Sequence, residues 1–447
     1  TAIARFLARV LGCAIAASCA RAEAARTISI EQAYDIALAT DQSIRIAYWE
    51  VRKANLLPWA ALTRLGPQLN GNASYRRREA STTASVLETG AVSSFERTTN
   101  TRAGTGDIGL TFQQPLIDLT VFPAYRLGKL SAEVAKLQRQ FTVRETLFGV
   151  TSAYFEVLKQ ERLVAVNREA LRLANEQLDL AQKRADVGEV TRSDVLRALV
   201  TVETARRTLV ESENGLELDR NTLGNILNLA PNAPFSVIEP PDYPSTLPLF
   251  DELLSRAYSH REDFRVKELA IGQDTERRNE IIGKYAPSVV AQWDGDINRV
   301  AGSSSSSNRD WQATIAVQVP ILTGGQREID LRTAGHQIEE TKLDRDKTAK
   351  TVEADVKAAW LNVRTLQQTL KALHTQVVAA EQGWHDLENQ YAAGTATSVD
   401  VLTALNDLNT ARKDLAIQTY DFQVALRNLE QVSGVFQEPR VQASKIK

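Results

Sequence analysis

Two stretches of this chain read nearly alike: RADVGEVTRSDVLRALV at 184–200 and QYAAGTATSVDVLTALN at 390–406. Gly188 and Gly394 lie 206 positions apart, and so do Asp194 and Asp400. Each glycine follows a very long polar–apolar run, and each run follows a proline that closes a short alternating segment, Pro115 or Pro320. The proline-to-glycine distances are 73 and 74 positions. A repeat of this size is a duplicated domain rather than a small solenoid unit. The chain must therefore build one helix–strand–strand–helix plan twice.

The first copy is expected over 25–230. Ser29 and Gln32 have capping-box spacing at a helix start, and a helical stripe from Ala33 continues to Leu65, where Gly66-Pro67 ends it. The period then changes to two, predicting strands over about 67–76 and 107–115, with a polar loop over 77–106 and Pro115 as the stop. A helical hairpin is expected over 123–229. Leu127, Leu130, Val134, Leu137, Phe141 and later residues recur mostly at spacings of three and four. Its first arm, about 64 residues, would span roughly 96 Å. A proline-rich linker, 231–248, leads to the second copy, 249–434. That copy has one helix over 249–284, strands over about 287–297 and 311–319, a serine-rich loop at 301–309, and a hairpin over 325–432. The tail 435–447 is polar.

The beginning reads as an address. Arg5 and Arg9 flank an apolar stretch at 11–17, and Ala22-Glu23-Ala24 fits a small-x-small cleavage site. This predicts a secretory signal peptide over 1–24 and a mature N-terminus at Ala25. Cleavage there removes Cys13 and Cys19, the only 2 cysteines. The rival is lipid attachment at Cys19, but Ala16-Ala17-Ser18 lacks the large aliphatic residue such a signal prefers.

Several classes are disfavoured. A net charge of −2 supplies no basic field for nucleic acid. His260, His336, His374 and His385 are scattered, so neither a metal cluster nor a Ser-His-Asp order forms. Thr323-Gly324-Gly325-Gln326 lacks the lysine of a phosphate loop. The chain is expected to be no enzyme and to carry no cofactor or metal.

Each strand core, about ten residues long, matches a tilted membrane-spanning strand. Each sets small or apolar residues on one face against Gln, Asn, Ser, Thr and Asp on the other. Four strands cannot close a barrel, and open edges do not survive in hydrocarbon. Several chains must share one barrel: two copies would give eight strands and three would give twelve.

In this order the motifs are distinctive: Leu65-Gly-Pro-Gln-Leu69, Gln114-Pro-Leu-Ile-Asp118, Val319-Pro-Ile-Leu-Thr-Gly-Gly325, Tyr391-Ala-Ala-Gly394 and Ser398-Val-Asp-Val-Leu402. The chain resembles the outer membrane efflux proteins, the TolC-like outer membrane factors of tripartite export systems. The resemblance implies a mostly α-helical fold with a membrane β-barrel part. Three chains, four strands each, form a 12-stranded outer-membrane barrel, continued by a long periplasmic α-helical barrel. It implies a Gram-negative outer membrane location and passive conduction of drugs, toxic small molecules or metals. A periplasmic adaptor and an inner-membrane pump of RND, ABC or MFS type would deliver them. The alternatives are the exit duct of a type I protein secretion system and, more remotely, a cell-surface structural coiled-coil protein.

The resemblance also implies a periplasmic gate at the hairpin turns. Asp400 matches an acidic ring at the constriction. On the residues alone, Ser398 can instead cap a helix with Asp400 at its second position. Thr403 stands where many members carry a second acid, and Ala396 where many carry a latching arginine. Tyr391 and Asp194 match family positions and could hydrogen-bond each other, with Arg192 as a replacement charge. Arg184, Val187, Gly188, Val190, Ala393, Gly394 and Ala396 are the expected adaptor contact.

Overall fold

The computed structural model describes residues 26–87, 94–230, 234–240, 247–302 and 306–434. The expected signal peptide, the Cys19 alternative and the tail lie outside the described residues.

In chain order the elements are β1 (Arg26–Ile28), α1 (Ile30–Thr40), α2 (Gln42–Ala54), α3 (Leu57–Leu62), β2 (Gln68–Leu87), β3 (Ser94–Ile117), α4 (Val121–Asp186) and α5 (Arg192–Ile226). Then follow β4 (Phe235–Val237), α6 (Phe250–His260), α7 (Glu262–Gly283), β5 (Ser288–Gly302), β6 (Ser306–Gln318), α8 (Gln326–Ala392) and α9 (Ser398–Val432). The chain divides into two compact units.

Of the described residues, the first unit takes those within 26–48, 137–265 and 347–434. Ser29 and Gln32 form the expected capping box at α1. The largest core of this unit joins Ile28, Tyr34, Leu147, Tyr154, Phe155, Leu223 and Leu227. The buried Tyr154 hydroxyl lies between the Ile28 carbonyl (3.0 Å) and the Ile238 carbonyl (2.6 Å). It thereby ties β1 to the segment after α5. A second core sets Leu253 and Ala257 of α6 against Val352 and Val356 of α8 and Leu429 of α9. A third, nearer the hairpin turns, sets Leu173 against Trp384, Leu405 and Leu408. Between the cores lies an ion pair, Arg144–Glu262 at 2.6 Å, with both side chains mostly covered.

The expected linker is more than a spacer. Its Phe235–Val237 forms β4, which pairs in parallel with β1. The prolines around it mask a three-residue strand that carries no periodic signal of its own. The helical stripe to Leu65 is broken into three helices and a 3-10 turn, and 249–284 is split at Arg261. Pro58 explains one break, since its ring cannot continue a preceding helix.

The second unit comprises 49–136 and 266–346. It holds a four-stranded antiparallel sheet in the order β2-β3-β5-β6, with β2 and β6 as its edges. Pairing puts Leu69 beside Phe112, Phe112 beside Trp293 and Trp293 beside Ala313, so the apolar face is continuous. Same-face contacts agree: Leu110 packs on Gly71 and Trp293 on Gly295, while Asn72 and Asp296 meet over Gly109 on the other face.

The strands exceed the expected ones. The segment read as a loop over 77–106 is largely strand: β2 has 20 residues and β3 has 24. The same holds at 301–309, where β5 reaches Gly302 and β6 resumes at Ser306. Over 77–83 and 98–106, beyond the apolar band, the residues on both faces are polar or small, so period-two hydrophobicity disappears while backbone pairing continues. Pro115 does not stop β3 either. The ladder passes it with a register shift before Ile117, which accommodates the missing N–H.

Candidate functional site

The two helical turns are near copies at atomic detail. Gly188 has φ of 80° and Gly394 has φ of 79°. A side chain in this left-handed region is strained, so glycine suits both positions. The Gly188 N–H donates to the Ala185 carbonyl and the Gly394 N–H to the Tyr391 carbonyl, each at 3.0 Å. One residue later, Glu189 and Thr395 donate to the Arg184 and Gln390 carbonyls, each at 2.9 Å.

Each returning helix then starts on the same capping box. The Thr191 hydroxyl and N–H donate to Asp194 Oδ2 at 2.6 and 3.0 Å, and the Asp194 N–H returns to Thr191 Oγ1 at 3.3 Å. Thr397 and Asp400 repeat all three distances. The cap is therefore Thr397, not Ser398, and Asp400 sits at the third helical position rather than the second. The signal was present as Thr-x-x-Asp in both copies. Ser398 masked it in the second copy because serine is itself a strong cap former.

Both carboxyls are held below the ordinary carboxylate range. For Asp400 the Thr397 hydroxyl dominates, followed by the Thr397 N–H. For Asp194 the Thr191 hydroxyl and N–H dominate, with a smaller contribution from Arg197. That last group separates the copies. Arg197 pairs with Asp194 at 3.3 Å. The position equivalent to Arg197 is Thr403, whose hydroxyl donates to the Val399 carbonyl at 2.8 Å. Asp400 is thus an exposed carboxylate with no cation at the matching place.

Tyr391 and Asp194 are not hydrogen-bonded to each other. Tyr391 is 4% exposed, and its hydroxyl is buried without a hydrogen-bond partner among the described residues. Its ring instead carries the Arg184 guanidinium, 4.6 Å from the centroid. Arg184 also donates to the Tyr391 carbonyl and pairs with Glu189 at 2.9 Å. The Arg184 side chain is only 16% exposed, so it is not the open contact residue expected from sequence. It clasps the first hairpin to the second within one chain. The equivalents of Arg184 and Tyr391 in the other copies are Gln390 and Ala185, so the clasp occurs once per chain and escapes any reading based on the repeat.

Of the other expected residues, Arg192 is exposed in the first turn of α5, and Val187 is 70% exposed at the tip. Gly188, Ala393 and Gly394 are exposed, while Val190 and Ala396 are half-buried. No helix among the described residues is long and apolar enough to cross a membrane.

The model of the family described as "Outer membrane efflux protein" matches residues 33–229 and 253–435, one segment for each copy. The chain belongs to the outer membrane efflux protein family. It is a TolC-like, non-enzymatic outer membrane channel with a periplasmic extension. Among curated relatives, the outer membrane efflux protein BepC of Brucella suis biovar 1 is 24% identical over 349 residues, covering 74% of this chain and 72% of BepC. The alkaline protease secretion protein AprF of Pseudomonas aeruginosa is 24% identical over 356 residues, covering 74% of this chain and 69% of AprF. Among solved structures, the outer-membrane channel OprN superposes with a TM-score of 0.73 at 18% identity, covering 91% of this chain and 89% of OprN. Similarity to OprN bears out the fold: mostly helical, duplicated, with a curled antiparallel sheet.

Proposed function

We propose that this efflux-family channel is the exit duct of a tripartite efflux pump for small molecules, gated at its hairpin turns. The observation that carries the gate is the contrast between two matching turns. Asp194 is ion-paired with Arg197 at 3.3 Å, whereas Asp400 is exposed and has no such partner at the matching position. Channels of this family function as trimers within tripartite systems. In a threefold ring, Asp400 contributes three carboxylates at the periplasmic mouth, and low-dielectric walls strengthen their attraction for cations. The Arg184–Tyr391 clasp replaces the latch absent at Ala396 and holds the two hairpins of one chain together. The turn surface around Val187, Gly188, Val190, Ala393, Gly394 and Ala396 meets the periplasmic adaptor. The chain itself supplies no energy; an inner-membrane pump does.

Similarity to AprF, named for alkaline protease secretion, favours a second reading: an exit duct for proteins. Deleting the gene in its native host separates the two. Efflux predicts sensitivity to small toxic compounds with an unchanged set of secreted proteins. Loss of one or more secreted proteins without such sensitivity supports the second reading, and no change in either overturns both.

A further inference from the structure

The apolar face of the sheet ends in a consistent way. Toward the hairpin ends of the strands, its last large side chains are Tyr75 on β2, Ile297 on β5 and Trp311 on β6. The next residue on the same face is Arg77, Arg299 and Arg309, respectively. All three arginines are exposed. Ile297 pairs with Arg309 and Arg299 with Ser307, so Arg299 and Arg309 are diagonal neighbours, about 7–8 Å apart. The boundary moves by one residue pair from β6 to β5 and again to β2, the stagger expected of tilted barrel strands.

Between these arginines β3 offers no side chain. Arg77 pairs with Gly104, and Gly106 lies between Tyr75 and Arg299. The Tyr75 ring leans over this floor; a Cβ built on Gly104 would meet its hydroxyl at 2.8 Å. The ring lies across both Gly104 and Gly106, so the result is a shallow slot floored by the Tyr75 ring and two strand spacings wide, about 10 Å. Arg77 stands on one side and Arg299 with Arg309 on the other, with the Tyr75 hydroxyl over Gly104 between them. The next residue on the β3 side of this face, Arg102, is already paired with Glu79.

We propose that this slot binds the phosphate groups of an anionic lipid in the leaflet at the hairpin ends of the strands. The helices join the sheet at Gln68, Ile117, Ser288 and Gln318, and the channel extends into the periplasm, so the hairpin ends belong to the outer leaflet. The lipid's acyl chains lie along the apolar rows, and its headgroup reaches the arginines where those rows stop. Guanidinium groups match phosphate geometry in bidentate fashion, and basic clusters beside a bilayer recognise anionic headgroups. A soluble phosphate would gain nothing from the adjoining apolar band, which is why a lipid is the occupant.

The test is native mass spectrometry of the full-length assembled protein in detergent, titrated with lipid A as the probe. The wild type should retain lipid A, and the R77Q/R299Q/R309Q variant should retain it at least tenfold more weakly. R76Q/R78Q, altered mainly on the opposite face, should bind as the wild type does. Dephosphorylated lipid A should bind the wild type at least tenfold more weakly, an arm that needs no folded variant. Excess inorganic phosphate should not displace the lipid. Equal retention of phosphorylated and dephosphorylated lipid would overturn the proposal, as would equal retention by the wild type and the triple variant. Displacement by inorganic phosphate would assign the slot to a free anion instead.

Discussion

Asp400 is kept ionised by the cap that also starts its helix. Its folded pKa lies below the ordinary value of 3.8 because the Thr397 hydroxyl and N–H bind the charged form. A depressed carboxylate pKa means that the cap's contribution is present above the unfolded value, about 3.9, and is lost only as pH falls through the lower folded value. Cation preference in planar bilayers should therefore hold from neutral pH down to about pH 4, and a loss centred above pH 5 would assign it to another group. Asp400→Asn should reduce the preference while sparing much of the cap. The reduction should shrink in 1 M salt, where the Debye length is about 3 Å. The clasp makes a separate prediction. Arg184→Ala should raise basal conductance, whereas Tyr391→Phe should leave it unchanged, because the ring and the main-chain carbonyl do the holding while the hydroxyl has no partner. Reduced clasp function in Tyr391→Phe would show that the hydroxyl matters after all. The turn glycines and both aspartates were legible in the sequence because the repeat prints them twice. The clasp was not, since nothing in one strand of text relates Arg184 to a residue 207 positions away.

At the scale of elements, periodicity carried most of the information. The long helices announced themselves through apolar residues at three and four, and the strand cores through alternation. The strand extensions did not, because 77–83 and 98–106 carry only polar or small residues on both faces. The strand after α5 was also illegible, since its three residues gain order only by pairing with β1. One close approach limits what these elements tolerate. Gly128 of α4 faces the backbone of α3, and a Cβ there would stand 2.7 Å from Pro58 N. Gly128→Val should displace α3 and lower the yield of folded protein, whereas Gly149→Ala, with open space around it, should not. Arg144→Ala should be costly for a different reason. It leaves Glu262 as a mostly covered charge without its ion-pair partner. Breaking such a pair costs about 3 kcal/mol, so heat resistance of the assembly in detergent should fall. Arg144→Met, which keeps the packing of the stem, should fall by a comparable amount if the unpaired charge is the cause. Full recovery in the Met variant would trace the loss to packing instead.

For the whole molecule, the deciding feature is the open sheet. β2 and β6 carry unpaired backbone edges, and hydrocarbon tolerates no such edge. Four strands per chain make sense only when β2 of one copy continues the ladder from β6 of another. The apolar band, the polar lumen face and the duplicated helical hairpins all belong to that shared object rather than to one chain. The most direct test is the mass of the conducting complex after extraction into detergent. Three copies of the chain are expected. A conducting species containing a single copy would contradict the account, because it would require four strands to close on themselves.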